Sequence, residues 1–344
     1  MSVARRRIAW IESLRFIGFL LVFTGHFIES YRPALFGYWY QGWTSWILMG
    51  LTAKFAVAVF GVLLGYFATA KLSDAQAAFG RYVVQRYLQF VVPMFIVNLL
   101  VVLGNARQAG LYGFRQVLVD SFFFSDRIVP TFWCMGPFFI ASALIGLIAG
   151  LTRGNRGARL GWYVASLIVC LLAGKTWVGV CVMGAVLHEV LQAEVRWMRS
   201  APALLAMAVC AFVLARVRAE NELMYLRYGA ACFLLLAVFF SAPRLQRLLD
   251  VGILGWLGSI SFHLYLVHVP VQYTFTNLLV VFLAKTVPTG ATLAIAAVAT
   301  LLADIAAAYL LGKTVEQVLK VVPGEQAAVI RGKRPGAGPG TGNG

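Results

Sequence analysis

Residues 13–27 read SLRFIGFLLVFTGHF, an apolar run with Arg15 near its start and His26 well inside it. The reading of this stretch decides the fold class. With its flanks it supplies the roughly 20 mostly apolar residues that one bilayer crossing needs. A charge or an imidazole at membrane depth is costly, so a helix carrying both turns them towards the bundle interior or a water-filled cavity. A helix turns about 100° and rises about 1.5 Å per residue, so eleven positions separate Arg15 and His26 by about 20° and about 16 Å. The two share one face. Glu12, three residues before Arg15, is close enough to pair with it. Blander roles stay open: Arg15 can snorkel to lipid phosphates, and His26 can hydrogen-bond a neighbouring helix.

Working outward, the whole chain repeats the pattern. Of its 344 residues 61% are hydrophobic and 12% charged, with a mean hydropathy of +0.81. A soluble domain averages about 45–50% apolar and about 25% charged. The composition is that of an integral membrane protein. The net charge of +16 does not point to nucleic acid, because no basic stripe is interleaved with polar recognition residues. The charges fall in short clusters between apolar runs, as the positive-inside rule places them. Spans are expected to begin near Glu12, Trp43, Arg81, Thr131, Leu160, Thr176, Ala201, Met224, Ile253 and Val287. The expected fold is an all-α bundle of about ten transmembrane helices with both termini cytoplasmic, since that orientation puts the larger part of the lysines and arginines inside. The fifth and sixth spans are short and meet at Gly174–Lys175, either as a tight hairpin or as a partly re-entrant pair. Residues 1–312 are read as the transmembrane domain and 313–344 as a cytoplasmic tail, disordered because GKRPGAGPGTGNG has nothing apolar to bury. The N-terminal MSVARRRIAW lacks a following small-residue cleavage site and is read as leading into a retained helix. Cys134, Cys170, Cys181, Cys210 and Cys232 all lie in apolar runs without metal-ligand spacing, and the four histidines do not cluster, so no metal site is expected.

The interval from Arg15 to His26, an arginine followed by ten residues and a histidine, resembles the first-helix signature of acyltransferase family 3. Four further segments agree in order. FGVLLGYF (60–67) is similar to the family's second-helix segment, and RYVVQRYLQFVVP (81–93) to the basic, proline-terminated start of the third helix. TFWCMGPFF (131–139) resembles its tryptophan-led helix, and LGSISFHLYLVHVPV (257–271) its LGxxSYxxYLxHxP segment. The chain departs from the pattern at Leu64, where serine is common, and at Gln89, where a second arginine commonly follows the one matched by Arg86. Glu12 replaces a common aspartate. No esterase-like domain of the kind fused to some members is expected, so the resemblance is to the family's stand-alone membrane form.

The resemblance implies a membrane enzyme that moves an acetyl group from cytosolic acetyl-CoA, a substrate and not a resident cofactor, to a hydroxyl of an exported carbohydrate acceptor. A sugar hydroxyl is a poor nucleophile, so a positioned base must take its proton, and histidine suits that task. His26 is the candidate base, with Arg15 and Glu12 completing the catalytic line. Arg15, Arg81 and Arg86 are the candidates for acyl-CoA phosphates, since arginine gives bidentate phosphate contacts; ordinary positive-inside anchoring is the alternative for Arg81 and Arg86. Glu29, Trp133 and His268 are candidates for the acceptor side or the cavity lining. His188 and His263 are assigned no role, and Arg153, Arg156 and Arg159 are read as topology determinants. The expected surroundings are the lipid bilayer of a bacterial inner membrane, with partners from polysaccharide synthesis, and no nucleic acid. A transporter or flippase of a lipid-linked sugar and a scaffold in a polysaccharide-synthesis complex are the rival readings. The first predicts internal repeats with paired broken helices, and none is visible.

Overall fold

The computed structural model describes residues 9–36, 53–73, 79–104, 111–193, 196–216 and 221–321, and every regular element among them is helical. In chain order the helices are α1 (Ala9–Phe36), α2 (Ala53–Ser73), α3 (Phe79–Gly104), α4 (Phe114–Phe122), α5 (Met135–Leu151), α6 (Arg156–Leu172) and α7 (Thr176–Gln192). They continue with α8 (Ala201–Arg216), α9 (Asn221–Ser241), α10 (Pro243–Leu249), α11 (Gly252–Ser259), α12 (Ser261–Val271), α13 (Asn277–Leu283) and α14 (Thr289–Val321). A 3₁₀ turn, Pro130–Cys134, leads into α5, and a π-helical turn, Gln272–Thr276, joins α12 to α13.

Seven of the described segments are long and apolar enough to cross a membrane: residues 9–31, 53–72, 79–104, 130–151, 224–241, 261–283 and 289–319. The protein is an integral, multi-pass membrane protein. Each of the ten expected segments falls on a helix, although the start expected near Trp43 lies outside the described residues and α2 is described from Ala53. The remaining three, α6, α7 and α8, have 17, 17 and 16 residues. At about 1.5 Å per residue each is about 25 Å long, less than the roughly 30 Å hydrocarbon core. Between α6 and α7 the chain makes a tight hairpin, in which the Lys175 N–H bonds back to the Cys170 carbonyl at 2.7 Å.

α14 continues to Val321, and Leu311 and Val315 keep an apolar face buried in its last turns. Residues 322–344, with the glycine- and proline-rich segment, lie outside the described part. Cys210 is exposed on α8, whereas the other four cysteines are buried.

α7 is the central column. Most of its residues from Thr176 to Glu189 are buried, as expected of a helix apolar on all sides. Its closest neighbour is α2, and glycines allow the approach. A Cβ at Gly65 would stand 1.8 Å from the Cys181 carbonyl oxygen, and one at Gly184 would stand 1.9 Å from the Val62 carbonyl oxygen. The two backbones therefore touch where small residues let them, the usual basis of tight helix packing in membranes. Gly184→Ala is expected to lower stability by about 1–3 kcal/mol through forced separation of α2 and α7, read as a lowered midpoint of thermal unfolding in detergent; an unchanged midpoint would refute the crossing.

At one end of the bundle α11 lies across the start of α1. A Cβ at Gly258 would meet the Glu12 carbonyl oxygen at 1.7 Å. This contact carries the late sequence motif to the base of the first helix. α1 itself runs unbroken through Arg15 and His26 and bends only at Tyr31 (φ −115°, ψ 15°).

Candidate functional site

The site has two levels, and α1 contributes to both. At the lower level lies a cavity of about 480 Å³ whose lining includes Arg15, Arg86, Gln89, Ser261, His263 and Tyr265. Its size is within the range usual for ligand pockets. Arg15 is held by Glu12, with Nη1 donating to Oε1 at 3.1 Å and to Oε2 at 3.2 Å, and its guanidinium lies over the Phe67 ring at 5.3 Å. Arg86 comes from α3. Its Nε donates to the buried Tyr82 hydroxyl at 3.3 Å and its Nη1 to Gln89 Oε1 at 3.2 Å. Two guanidiniums from different helices thus face one space, each fixed by a neighbour. Arginine clusters of this kind suit anionic, phosphate-bearing groups. Pro93, inside α3, lacks the N–H that would engage the Gln89 carbonyl one turn earlier.

Arg81 does not join them. It is exposed and is not among the cavity residues. Five positions separate it from Arg86, about 140° around the helix, so the two cannot share a face. Gln89, three positions on and about 60° away, takes the place beside Arg86 instead.

The upper level is built on His26. Its ring centroid lies 5.3 Å from that of His268, with 40° between the planes. The first-helix histidine and the late-motif histidine, far apart in sequence, are therefore neighbours. His268 is fully buried and its Nδ1 lies 2.7 Å from the Tyr265 carbonyl. A carbonyl only accepts, so Nδ1 carries the proton and Nε2 is left as an acceptor, with no hydrogen-bond partner among the described residues. Glu29 stands at 3.8 Å from His26 Nδ1, an ion-pair separation too long for a hydrogen bond, and its side chain is 82% exposed. It belongs to the solvated surroundings of His26 more than to its immediate shell.

A layer of aromatic side chains separates the levels. His26 is not among the residues lining the lower cavity. On the stripe of α1 between Arg15 and His26 sit Phe19 and Phe23, both buried. Phe19 meets the His268 ring edge-on at 6.0 Å. Tyr265 belongs to both levels: its ring lines the cavity, its carbonyl holds His268, and its hydroxyl donates to the Thr131 carbonyl at 2.8 Å. That last bond ties α12 to the 3₁₀ turn carrying Trp133. Trp133 itself is half-buried and packs against Trp177 with centroids 4.7 Å apart, so it braces the turn before α5.

Of the cavity residues, the sequence reading leaves out Tyr265, treats Gln89 only as a departure from the family pattern and gives His263 no role. A signal for Tyr265 existed, since Ser261, Tyr265 and His268 follow the i, i+4, i+7 pattern of one helix face. None existed for His263, which is about 140° from His268 on α12 and reaches the cavity because its ring lies against Gly312 of α14.

The arginines assigned only to topology are also redefined. Arg159 is buried and paired with the buried Glu189 through Nε–Oε1 at 2.7 Å and Nη2–Oε2 at 3.1 Å. Arg156 reaches the same carboxylate at 3.3 Å and donates to the Glu189 and Gln192 carbonyls at the end of α7. His188 Nδ1 lies 3.4 Å from Glu189 Oε1. This cluster clamps α6 to α7 and is structural. Among the described residues no group of three or more His, Cys, Asp or Glu side chains is placed to hold a metal ion.

Comparison with known proteins gives one result: the family model described as acyltransferase domain, of acyltransferase family 3, matches residues 8–308. No curated protein and no solved structure matches the chain.

Proposed function

Because the chain belongs to acyltransferase family 3 over nearly its whole length, we propose that this membrane acyltransferase transfers an acetyl group from cytosolic acetyl-CoA to a hydroxyl of an exported or cell-surface carbohydrate. One observation supports this reading above the others. Arg15 and Arg86 converge on a single cavity, and Tyr265 links that cavity to a histidine pair made of the buried His268 and the half-buried His26. With the N-terminus and the Arg15 end of the bundle in the cytoplasm of a bacterial inner membrane, the arginines receive the phosphates of the donor. The acceptor glycan then reaches His26 from the opposite side.

In the reaction His26 takes the proton of the sugar hydroxyl as that oxygen attacks the thioester carbonyl carbon. The carbon–sulfur bond breaks, and the leaving thiolate takes the proton from His26. Positioned base catalysis of this kind contributes typically about 10²–10⁴-fold. Glu12 orients Arg15, and His268 lies against His26 and against Phe19 and Tyr265 of the layer next to the donor cavity. To bring the thioester to His26, the Phe19–Tyr265 layer must part. Both termini cytoplasmic and ten crossings belong to this reading, as do partners in polysaccharide synthesis.

The test is release of free CoA from acetyl-CoA by purified protein in detergent, with a panel of glycans. Glycan-dependent release without a membrane gradient supports acyl transfer. A transporter or flippase would show none, and would instead need sealed vesicles to move its solute.

The donor half of the proposal can be tested separately. A charge-assisted hydrogen bond contributes about 1.5–3 kcal/mol, so Arg86→Ala is expected to raise KM for acetyl-CoA about 10- to 100-fold with kcat little changed, the pattern of lost uniform binding. Arg81→Ala is expected to leave KM unchanged. Equal effects of the two would refute the cavity as the donor site.

A further inference from the structure

A second set of buried polar atoms lies beside the upper level of the site, one turn beyond His268. Gln272 opens the π-helical turn and Asp304 sits within α14; their exposures are 1% and 0%. Gln272 Oε1 and both carboxylate oxygens of Asp304 have no hydrogen-bond partner among the described residues. The amide of Gln272 is already engaged, since Nε2 donates to the Phe23 carbonyl of α1 at 3.5 Å.

Register brings these oxygens together. The hydroxyls of Thr276 and Thr300 lie 2.6 Å apart, and Thr300 donates to the Ala296 carbonyl, so Thr276 is the donor to Thr300. Gln272 is one turn before Thr276, and Asp304 is one turn after Thr300. The segment 261–283 and α14 are joined by a short connection and run antiparallel, so both steps lead in the same direction along the bundle. They set Gln272 and Asp304 at one level. The π-helical turn at this point is an element that often marks functional positions.

Three buried oxygens without a donor therefore lie at one level of the bundle. An unpaired carboxylate inside a membrane bundle is costly, and such residues mark ion or proton sites. One proton on Asp304, donated to Gln272, would still leave a carboxylate oxygen unsatisfied, whereas a metal cation engages all three. Oxygen-only ligands suit hard alkali or alkaline-earth ions, and a single carboxylate balances a single positive charge. We propose that Asp304 and Gln272, braced by the Thr276–Thr300 bond, form a binding site for a small monovalent cation, with Na⁺ as the probe. Such an ion joins the π-helical turn to α14 one turn from His268.

The test is thermal unfolding of the detergent-purified protein in NaCl against choline chloride at equal ionic strength. A ligand at about a hundred times its Kd adds about 2.7 kcal/mol, which for a chain of this size is a saturable rise of about 5 °C. The rise is expected in wild type and after Lys285→Ala, and is expected to vanish in Asp304→Asn. Should Asp304→Asn fail to fold, Gln272→Leu and binding of radiolabelled sodium to wild type give the same reading. Identical midpoints of wild type in NaCl, LiCl, KCl and choline chloride would overturn the proposal, as would a sodium-dependent rise that survives in Asp304→Asn. A wild type insensitive to all four salts, with Asp304→Asn equally stable, would assign Asp304 a proton instead. The readout involves no acyl transfer, so it stands or falls separately from the proposed function.

Discussion

Replacing His26 by alanine is expected to lower glycan-dependent CoA release by about 10²–10⁴-fold while acetyl-CoA still binds. The two outcomes separate because the donor-binding arginines and His26 occupy different levels, with Phe19, Phe23 and Tyr265 between them. Loss of the imidazole removes the base without touching Arg15, Arg86 or their partners. The fold is also expected to survive, since His26 is only half-buried and makes no hydrogen bond under 3.5 Å to Glu29. Turnover and donor binding should therefore be measured on the same preparation, with a thermal midpoint as control. His26→Gln, which keeps polarity and removes the base, is expected to be as inactive as alanine. Full activity in either variant would remove His26 from the chemical step. Loss of donor binding together with activity would place His26 in the donor site, contrary to the two-level arrangement.

The largest expected effect on stability lies far from that chemistry. Arg159→Ala should destabilise the protein by about 3–5 kcal/mol, because it strands the buried Glu189 carboxylate without its bidentate partner. The desolvation cost of Glu189 is already incurred on folding, and what offsets it is the pair of bonds at 2.7 and 3.1 Å. Arg156 remains beside Glu189, but its side chain is 42% exposed and its attraction is screened by water. The double variant Arg159→Met with Glu189→Leu removes both charges and should recover most of the loss, since apolar replacement of a buried pair is often neutral. Thermal unfolding of the three proteins in detergent decides the matter. A double variant as unstable as the single would mean that packing, and not the stranded charge, sets the cost.

Much of this molecule is legible along the chain because the bilayer simplifies the reading. Apolar runs of span length locate the helices, and the α-helical turn is regular enough to put Arg15 and His26 on one face. The same regularity could have separated Arg81 from Arg86 and joined Gln89 to Arg86, since all three lie on one helix. Topology read from arginine clusters has a limit, however. Arg159 is indistinguishable in sequence from its exposed neighbour Arg153, and only the arrival of Glu189 from α7 makes it a buried structural residue.

What the sequence determined by itself is local: helical membrane segments, the face each residue takes on its own helix, and the membership signalled by ordered short motifs. Those depend on spacing within one element. The approach of His268 to His26, the shared cavity of Arg15 and Arg86, and the level common to Gln272 and Asp304 were decided only by tertiary structure. Each depends on the relative height and rotation of two helices remote in sequence. These are set by contacts such as Gly65 against Cys181 and Gly258 against Glu12. Where backbones can touch depends on a glycine of one helix meeting the backbone of another, and no periodicity within one helix records which partner that will be.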